Sequence, residues 1–141
     1  MEIYQLTYKS KSISEMDQVS LDLILSEATT SNSKLDVTGC LIYFKGSFIQ
    51  ILEGSKENVL STYDKIIIDK RHHLVDLLWE SDSEKRFFEK WNMGFFSPES
   101  DHEILFVNNY KLLSRFADKS RGATLSFWAN VEKILDNKSL E

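Results

Sequence analysis

Two polar side chains that can transfer protons or exchange hydrogen bonds occur in otherwise apolar segments. Tyr8 ends the segment IYQLTY, and Gln50 lies in the middle of FIQILEG, residues 48–54. An unpaired buried amide costs about 1–3 kcal/mol, so Gln50 requires a hydrogen-bond partner. A phenol can donate to an amide oxygen, which makes Tyr8 a candidate partner. The pattern alone favours a structural Tyr8–Gln50 hydrogen bond over a network shared with a bound ligand.

Other reactive side chains lack the spacing that catalysis or metal binding requires. Cys40 with His72 or His73 suggests a thiol nucleophile, but no motif orders these residues. His72, His73 and Asp69 suggest a metal site, yet adjacent histidines point in different directions and lack helical ligand spacing. The sequence also contains no glycine-rich phosphate loop. A small hydrolase is therefore the least favoured function.

The elements that must position Tyr8 and Gln50 follow from hydrophobic periodicity. Alternation predicts strands at residues 1–7, 38–44, 47–53, 74–80 and 91–96, with a hairpin turn at Lys45-Gly46. A first helix is predicted to begin after Ser12 or Ser14 and to run to about Thr30, and a second, capped by Ser55, to about Ile68. The side chains predicted to face inwards are Val19, Leu21, Leu23, Ile24 and Ala28 in the first helix and Val59, Leu60, Tyr63, Ile66 and Ile67 in the second.

The order of these elements predicts an α+β fold. The pattern βαββαβ plus a fifth strand is typical of a ferredoxin-like mixed sheet with two helices on one face. Two further C-terminal helices with apolar stripes are expected on the other face. We expect the first and third strands to be central, adjacent and parallel. Alternation places Tyr8 on the face that carries Phe48, Gln50 and Leu52, so the phenol and the amide can meet beneath the two helices.

Six motifs occur in a characteristic order across residues 1–96. They are IYQLTY, Asn32 after the first helix, VTGCLIY at 37–43, FIQILEG, TYDKIIIDKRHH at 62–73 and RFFEKWNMGF at 86–95. Together they resemble the BLUF family, small blue-light sensors that bind a flavin, in its short single-domain form. The resemblance implies FAD as cofactor, with FMN as the alternative.

The resemblance also implies roles for individual residues. Tyr8 and Gln50 fall on the photochemical switch, together with Trp91 and Met93 of the last strand. The implied cofactor-binding residues are Ile24, Asn32, Gln50, Lys65, Ile66, Asp69, Arg71 and His72. Asn32 corresponds to the amide that bonds the flavin's pyrimidine edge, and Ile24 and Ile66 to the residues that sandwich its ring. Lys65 stands where many members have arginine, and Ser31 where many have a second asparagine.

The mechanism implied by the resemblance is a photocycle without turnover, so the chain is expected to be a sensor and not an enzyme. Light drives an electron and a proton from Tyr8 to the flavin, and the hydrogen bonds of Gln50 rearrange. The change then passes through the strand of Trp91 and Met93 to the C-terminal helices and a partner. The alternative is a light-independent ferredoxin-like regulatory or dimerisation module that binds another small ligand.

Composition narrows the class of protein. The net charge of −5 argues against direct nucleic-acid binding, and the single cysteine suits a reducing, cytoplasmic setting. No apolar run is long enough to span a membrane. We expect a flavin-binding domain at 1–97 and a two-helix output extension at 98–141. Since that extension is too short for a cyclase, diesterase or DNA-binding domain, the expected partners are an unknown downstream protein and further copies of the chain, as a dimer or larger oligomer.

Overall fold

The computed structural model describes residues 2–89, 92–96, 128, 129 and 131. The elements are β1 (Ile3–Ser12), α1 (Gln18–Lys34), β2 (Thr38–Phe44), β3 (Ser47–Gly54), α2 (Lys56–Ile67), β4 (His72–Ser83) and β5 (Gly94–Phe96). Their predicted order and type are confirmed. Trp91 and most of the predicted C-terminal helices lie outside the described residues, although residues 128, 129 and 131 are helical.

The strands form one mixed five-stranded sheet in the order β4-β1-β3-β2-β5. β1 is antiparallel to both β3 and β4, whereas β5 is parallel to β2. The prediction that β1 and β3 are parallel is therefore wrong. α1 returns the chain so that β2 runs in the same direction as β1, and the tight hairpin then reverses β3. β3 enters the sheet between β1 and β2 and opposes both.

The β2–β3 hairpin sets the register that the site requires. Lys45 and Gly46 have φ angles of 49° and 78°, as a two-residue turn with positive φ at both positions requires. In the β1–β3 ladder Tyr8 lies directly opposite Gln50. Residues opposite each other in an antiparallel pair project to the same face. The predicted common face of these two side chains is thus confirmed.

Several element boundaries differ from prediction. α1 runs to Lys34, so Asn32 lies within the helix and not after it, and β4 extends over His72–Ser83. Two further differences have signals in capping and pairing and not in hydrophobicity. α1 begins only at Gln18, since the Asp17 side chain caps it by accepting from the Ser20 amide. β1 extends to Ser12, where it still pairs with β4. The side chains of Val19 and Leu23 are 77% and 57% exposed, so these two do not belong to the inward stripe.

Each face of the sheet buries its own apolar cluster. α1 and α2 cover the face of Leu6, Leu41 and Leu52. The opposite face buries Cys40, Ile42, Ile49, Ile51, Leu78, Phe88, Trp128 and Val131. The described helical residues near the C-terminus therefore pack where the C-terminal helices were expected. Within the described part of the chain, no helix is long and apolar enough to cross a membrane.

Candidate functional site

A cavity of about 250 Å³ lies between the sheet and the two helices. Tyr8, Leu41, Phe48 and Gln50 contribute from the sheet; Ile24, Glu27, Ala28, Ser31 and Asn32 from α1; Thr62, Lys65 and Ile66 from α2; and Asp69, Arg71 and His72 from the turn into β4. The walls supplied by Ile24, Ala28 and Ile66 are apolar, and the polar groups lie on the sheet and at the rim. This arrangement suits a largely apolar ligand with polar groups at its edge.

Three hydrogen-bonded side chains form a series that begins at the sheet side of this cavity. The Tyr8 hydroxyl donates to Gln50 Oε1, and Gln50 Nε2 donates to Met93 Sδ at 3.2 Å. All three side chains are less than 10% exposed. Burial raises the pKa of the Tyr8 phenol, with smaller contributions from Tyr63 and Asp69. The phenol is therefore protonated at neutral pH and holds its proton in the bond to Gln50.

Asn32 is 2% exposed near the end of α1, where the chain turns into β2. Its backbone carbonyl accepts from the amides of Leu35 and Val37, which fixes the residue at this turn. Its Nδ2 donates to the Asn92 carbonyl at 2.9 Å. No donor among the described residues reaches its Oδ1, although the residue lines the cavity. A buried amide oxygen without a protein donor is suited to accept a hydrogen bond from a ligand.

Charged side chains close one end of the cavity. Asp69 receives Arg71 Nε at 3.0 Å and Nη2 at 2.5 Å, and Glu27 of α1 receives Arg71 Nη1 at 2.9 Å. The hydrogen bonds from Arg71 hold the pKa of Asp69 below its ordinary value. Arg71 thus connects α1 with the turn that precedes β4. Because Arg71 and Glu27 are 40% and 53% exposed, solvent screens the attraction between them.

His72 is held in one orientation at the same end. Its Nε2 lies 2.5 Å from the Ile66 carbonyl, and its Nδ1 lies 2.7 Å from Ser10 Oγ. A carbonyl only accepts, so Nε2 carries a proton, and in the neutral ring Nδ1 accepts from the Ser10 hydroxyl. Lys65 also lines the cavity, and among the described residues it forms no ion pair. The rim therefore offers a cation to a ligand.

The structure places the eight predicted cofactor-binding residues around this one cavity, with Tyr8 beside them. Met93 reaches the site through Gln50, and Trp91 lies outside the described residues. Contact of these residues with a flavin stays a prediction.

Some cavity residues were missing from the predicted site, and most carry a periodic signal. Leu41 lies opposite Gln50 in the β2–β3 ladder, and Phe48 precedes Gln50 by two residues on the same strand. Ala28 and Thr62 each lie four residues from a predicted wall residue, Ile24 and Ile66 respectively, and so share its helix face. Glu27 had no such signal, because its partner Arg71 is distant in sequence.

Of the weaker candidates of the sequence, Asp69 and His72 line the cavity, whereas Cys40 lies apart from it. Cys40 is fully buried on the opposite face of the sheet, and burial raises the pKa of its thiol, which keeps the nucleophilic thiolate scarce. Among the described residues, no group of three or more histidine, cysteine, aspartate or glutamate side chains is arranged to hold a metal ion.

A sequence model of the family described as BLUF, sensors of blue-light using FAD, matches residues 3–94. The chain belongs to the BLUF family. Photoactivated adenylate cyclase subunit beta of Euglena longa is 42% identical over 67 residues, which are 48% of this chain and 8% of that protein. The Euglena gracilis subunit beta is 33% identical over 89 residues, or 62% of this chain and 10% of that protein. This BLUF chain therefore spans a tenth or less of these two relatives.

Solved BLUF structures share the fold. A photo-activated state of BlsA is 27% identical with a TM-score of 0.73, over 92% of this chain and 93% of that chain. A bacterial light-regulated adenylyl cyclase is 26% identical with a TM-score of 0.75, over 80% of this chain and 34% of that chain. BLUF domains are sensor domains of a family that uses FAD.

Proposed function

We propose that this BLUF chain senses blue light through a flavin held in the cavity, with Tyr8 and Gln50 as its photoswitch. The observation that carries the proposal is the buried series Tyr8–Gln50–Met93 on the sheet side of the cavity. This series links a hydroxyl that can give up a proton, an amide whose donor and acceptor ends can be exchanged, and a thioether that accepts only a weak hydrogen bond.

The residues present fit a flavin. Ile24 and Ile66 supply apolar surface from opposing helices for a flat ring. The Oδ1 of Asn32 supplies an acceptor for a ring N–H, and the second N–H of Gln50 supplies a donor. Lys65 adds a cation at the rim for an anionic tail. FAD is the proposed cofactor, with FMN as the alternative.

When bound, a flavin would supply blue-light absorption and, once excited, an oxidant for an electron and a proton from a nearby residue. Tyr8 supplies both in this proposal, and its existing hydrogen bond provides the route by which the phenolic proton leaves towards Gln50 Oε1. The Gln50 amide then exchanges its donor and acceptor ends by rotation or by a change of tautomer. The electron and the proton return to Tyr8, and the rearranged amide persists. No product is released, so the cycle signals without turnover.

The change at Gln50 reaches the edge of the sheet through Met93. Met93 directly precedes β5, and a rearranged amide no longer presents the same N–H to its sulfur. We propose that this contact is the start of the relay, which continues through the strand of Trp91 and Met93 to the C-terminal helices. The output then reaches a separate protein or a further copy of the chain.

Absorption spectroscopy of the purified chain tests the proposal. The protein should be yellow, and blue light should shift its flavin bands reversibly to longer wavelength. Titration of flavin-free protein with FAD and FMN ranks the two cofactors. If the protein bound neither FAD nor FMN, the alternative of a ferredoxin-like regulatory module would be favoured. If it were yellow but showed no photoshift, the proposed blue-light sensing would be refuted.

Two substitutions test the photoswitch. Tyr8→Phe removes the phenolic proton and Gln50→Leu removes the amide, so each should retain flavin and lose the normal photoshift. Tyr63→Phe is the matched control, because its ring centroid lies 5.5 Å from that of Tyr8 and the same hydroxyl is deleted. Full photoactivity in either of the first two variants would disprove the role of that residue, and loss in all three would show that the effect is not specific.

A further inference from the structure

The connection from β4 to β5, residues 84–93, must cross the sheet, because β4 and β5 are its opposite edges. Within it, Phe88 is fully buried on the face away from the cavity, in the cluster of Ile49, Ile51 and Trp128. We call the described residues of this connection, 84–89, 92 and 93, the crossover. Its last residue, Met93, contacts Gln50. The crossover therefore begins on one face of the sheet and ends at the photoswitch on the other.

Glu53 fastens the crossover to the central strand β3. Its carboxylate is fully buried and accepts from the amides of Phe87 at 2.7 Å and Phe88 at 2.8 Å. It also accepts from Gln5 Nε2 at 2.7 Å. Burial raises the pKa of Glu53, against the opposing effect of these bonds and of Arg86. A buried carboxylate is stable only with such donors, so it fixes these two backbone amides in place.

The far end of the crossover is held by side chains that line the cavity. Asn32 donates to the Asn92 carbonyl at 2.9 Å, and Gln50 donates to Met93 Sδ at 3.2 Å. A thioether is a weak acceptor, so the second of these bonds is easily exchanged. One end is thus bound to β3 by a buried carboxylate, and the other end contacts two residues that line the cavity.

We propose that Glu53 is a positioning residue for the light response: it anchors the crossover so that the change at Gln50 moves the Asn92–Met93 end. The inference rests on the proposed function. A change at one end of a segment produces a directed displacement there only if the other end is held. Arg86 also bonds Thr38 and Asp36, so the segment stays attached without Glu53, but the amides of Phe87 and Phe88 lose their acceptor and the displacement at the Asn92–Met93 end becomes smaller.

Glu53→Gln tests the anchor with little change of shape. The amide nitrogen cannot accept, so the variant loses at least one of the bonds from Phe87 and Phe88, and their hydrogen exchange should rise about tenfold. Flavin binding and the photoshift should persist, because Glu53 lies on the face away from the cavity. The light-minus-dark difference in exchange over residues 92–96 should fall to about half or less of the wild-type value. Glu84→Gln, at an exposed site in the same crossover, should change none of these.

The outcomes separate this role from a merely structural one. The positioning role would be overturned if Glu53→Gln exchanged faster at Phe87 and Phe88 but kept the wild-type light-minus-dark difference over residues 92–96. It would also be overturned if neither the exchange at Phe87 and Phe88 nor that difference changed. If Glu53→Gln does not fold, Gln5→Met removes one donor to Glu53 and should reduce the same difference to a lesser extent; an unreduced difference would overturn the proposal. The wild-type photoshift tests the proposed function independently, and its absence would overturn both.

Discussion

At the scale of single residues, the two ends of the Gln50 amide have unequal partners. The oxygen accepts from a buried phenol, whereas the nitrogen donates to the sulfur of Met93, a weak acceptor. Rotation of the amide therefore breaks only a weak hydrogen bond on the nitrogen side, the one from Nε2 to Met93 Sδ. The phenol oxygen can also accept, so a rotated amide would still find a partner in Tyr8. In the proposed photoswitch, the cost of rotation therefore falls on Gln50 Oε1, which exchanges the phenol for the sulfur of Met93.

Asn32 supports a prediction at this scale. Asn32→Ala removes the donor to the Asn92 carbonyl and should lower the free energy of unfolding by about 1–3 kcal/mol. The same change removes a proposed ligand contact and should weaken flavin binding. Urea denaturation and flavin titration measure the two effects. Ser31→Ala alters the adjacent cavity residue and should change both less, so equal effects in the two variants would count against the Asn32 contacts.

At the scale of elements, the irregularities of β1 lie in its pairing with β4, one of them between Thr7 and Tyr8, and not in the β1–β3 ladder that aligns Tyr8 with Gln50. The β1–β3 pairing runs without interruption from Tyr4 to Lys11. The β1–β4 pairing instead shifts register twice, and Leu74 of β4 adopts a φ of 54°. Such shifts twist a strand pair and rotate its side chains. Confining them to the β1–β4 pairing leaves Tyr8 and Gln50 in directly opposed positions.

Leu74 provides an element-scale prediction, since its left-handed backbone disfavours a leucine. The side chain is 67% exposed, so little packing is lost on substitution. Leu74→Asn should raise the free energy of unfolding by about 1 kcal/mol, because asparagine tolerates this conformation better. Leu23→Asn, at an exposed helical position, is the control and should be neutral or destabilising. Chemical denaturation distinguishes these results, and a less stable Leu74→Asn protein would show that the backbone there is not strained.

At the scale of the whole molecule, the same two strands supply both faces of the sheet. Tyr8 and Gln50 point towards the cavity, whereas Thr7 of β1 and Glu53 of β3 point towards the opposite cluster. There Trp128 Nε1 donates to Thr7 Oγ1 at 3.0 Å. β1 therefore carries the tyrosine of the proposed photoswitch and, one residue earlier, a contact with Trp128.

Thr7→Val tests that contact while leaving the cavity face unchanged. It replaces the acceptor for Trp128 by a methyl group and should cost about 1 kcal/mol of stability. Trp128 fluorescence should also change, whereas flavin binding and the photoshift should not. Thr30→Val, at an exposed position of α1, serves as control. Stability equal to that of the wild type would mean that the hydrogen bond contributes nothing.

Local patterns in the sequence were sufficient to predict the order and type of the elements and the common face of Tyr8 and Gln50. Alternation within a strand is a property of consecutive residues, and the Lys45-Gly46 turn needs only two. The order of the motifs was sufficient to identify the BLUF family. The eight cofactor-binding residues that the motifs indicated all line the cavity.

Tertiary structure decided what depends on residues distant in the chain. The antiparallel β1–β3 pairing follows from how the hairpin enters the sheet, and the Glu27–Arg71 pair joins separate elements. Glu53 looked like the end of an apolar strand, yet Phe87 and Phe88 supply the amides that make its burial tolerable. Neither periodicity nor composition encodes such partners, because a buried charge is satisfied by whichever groups the fold brings to it.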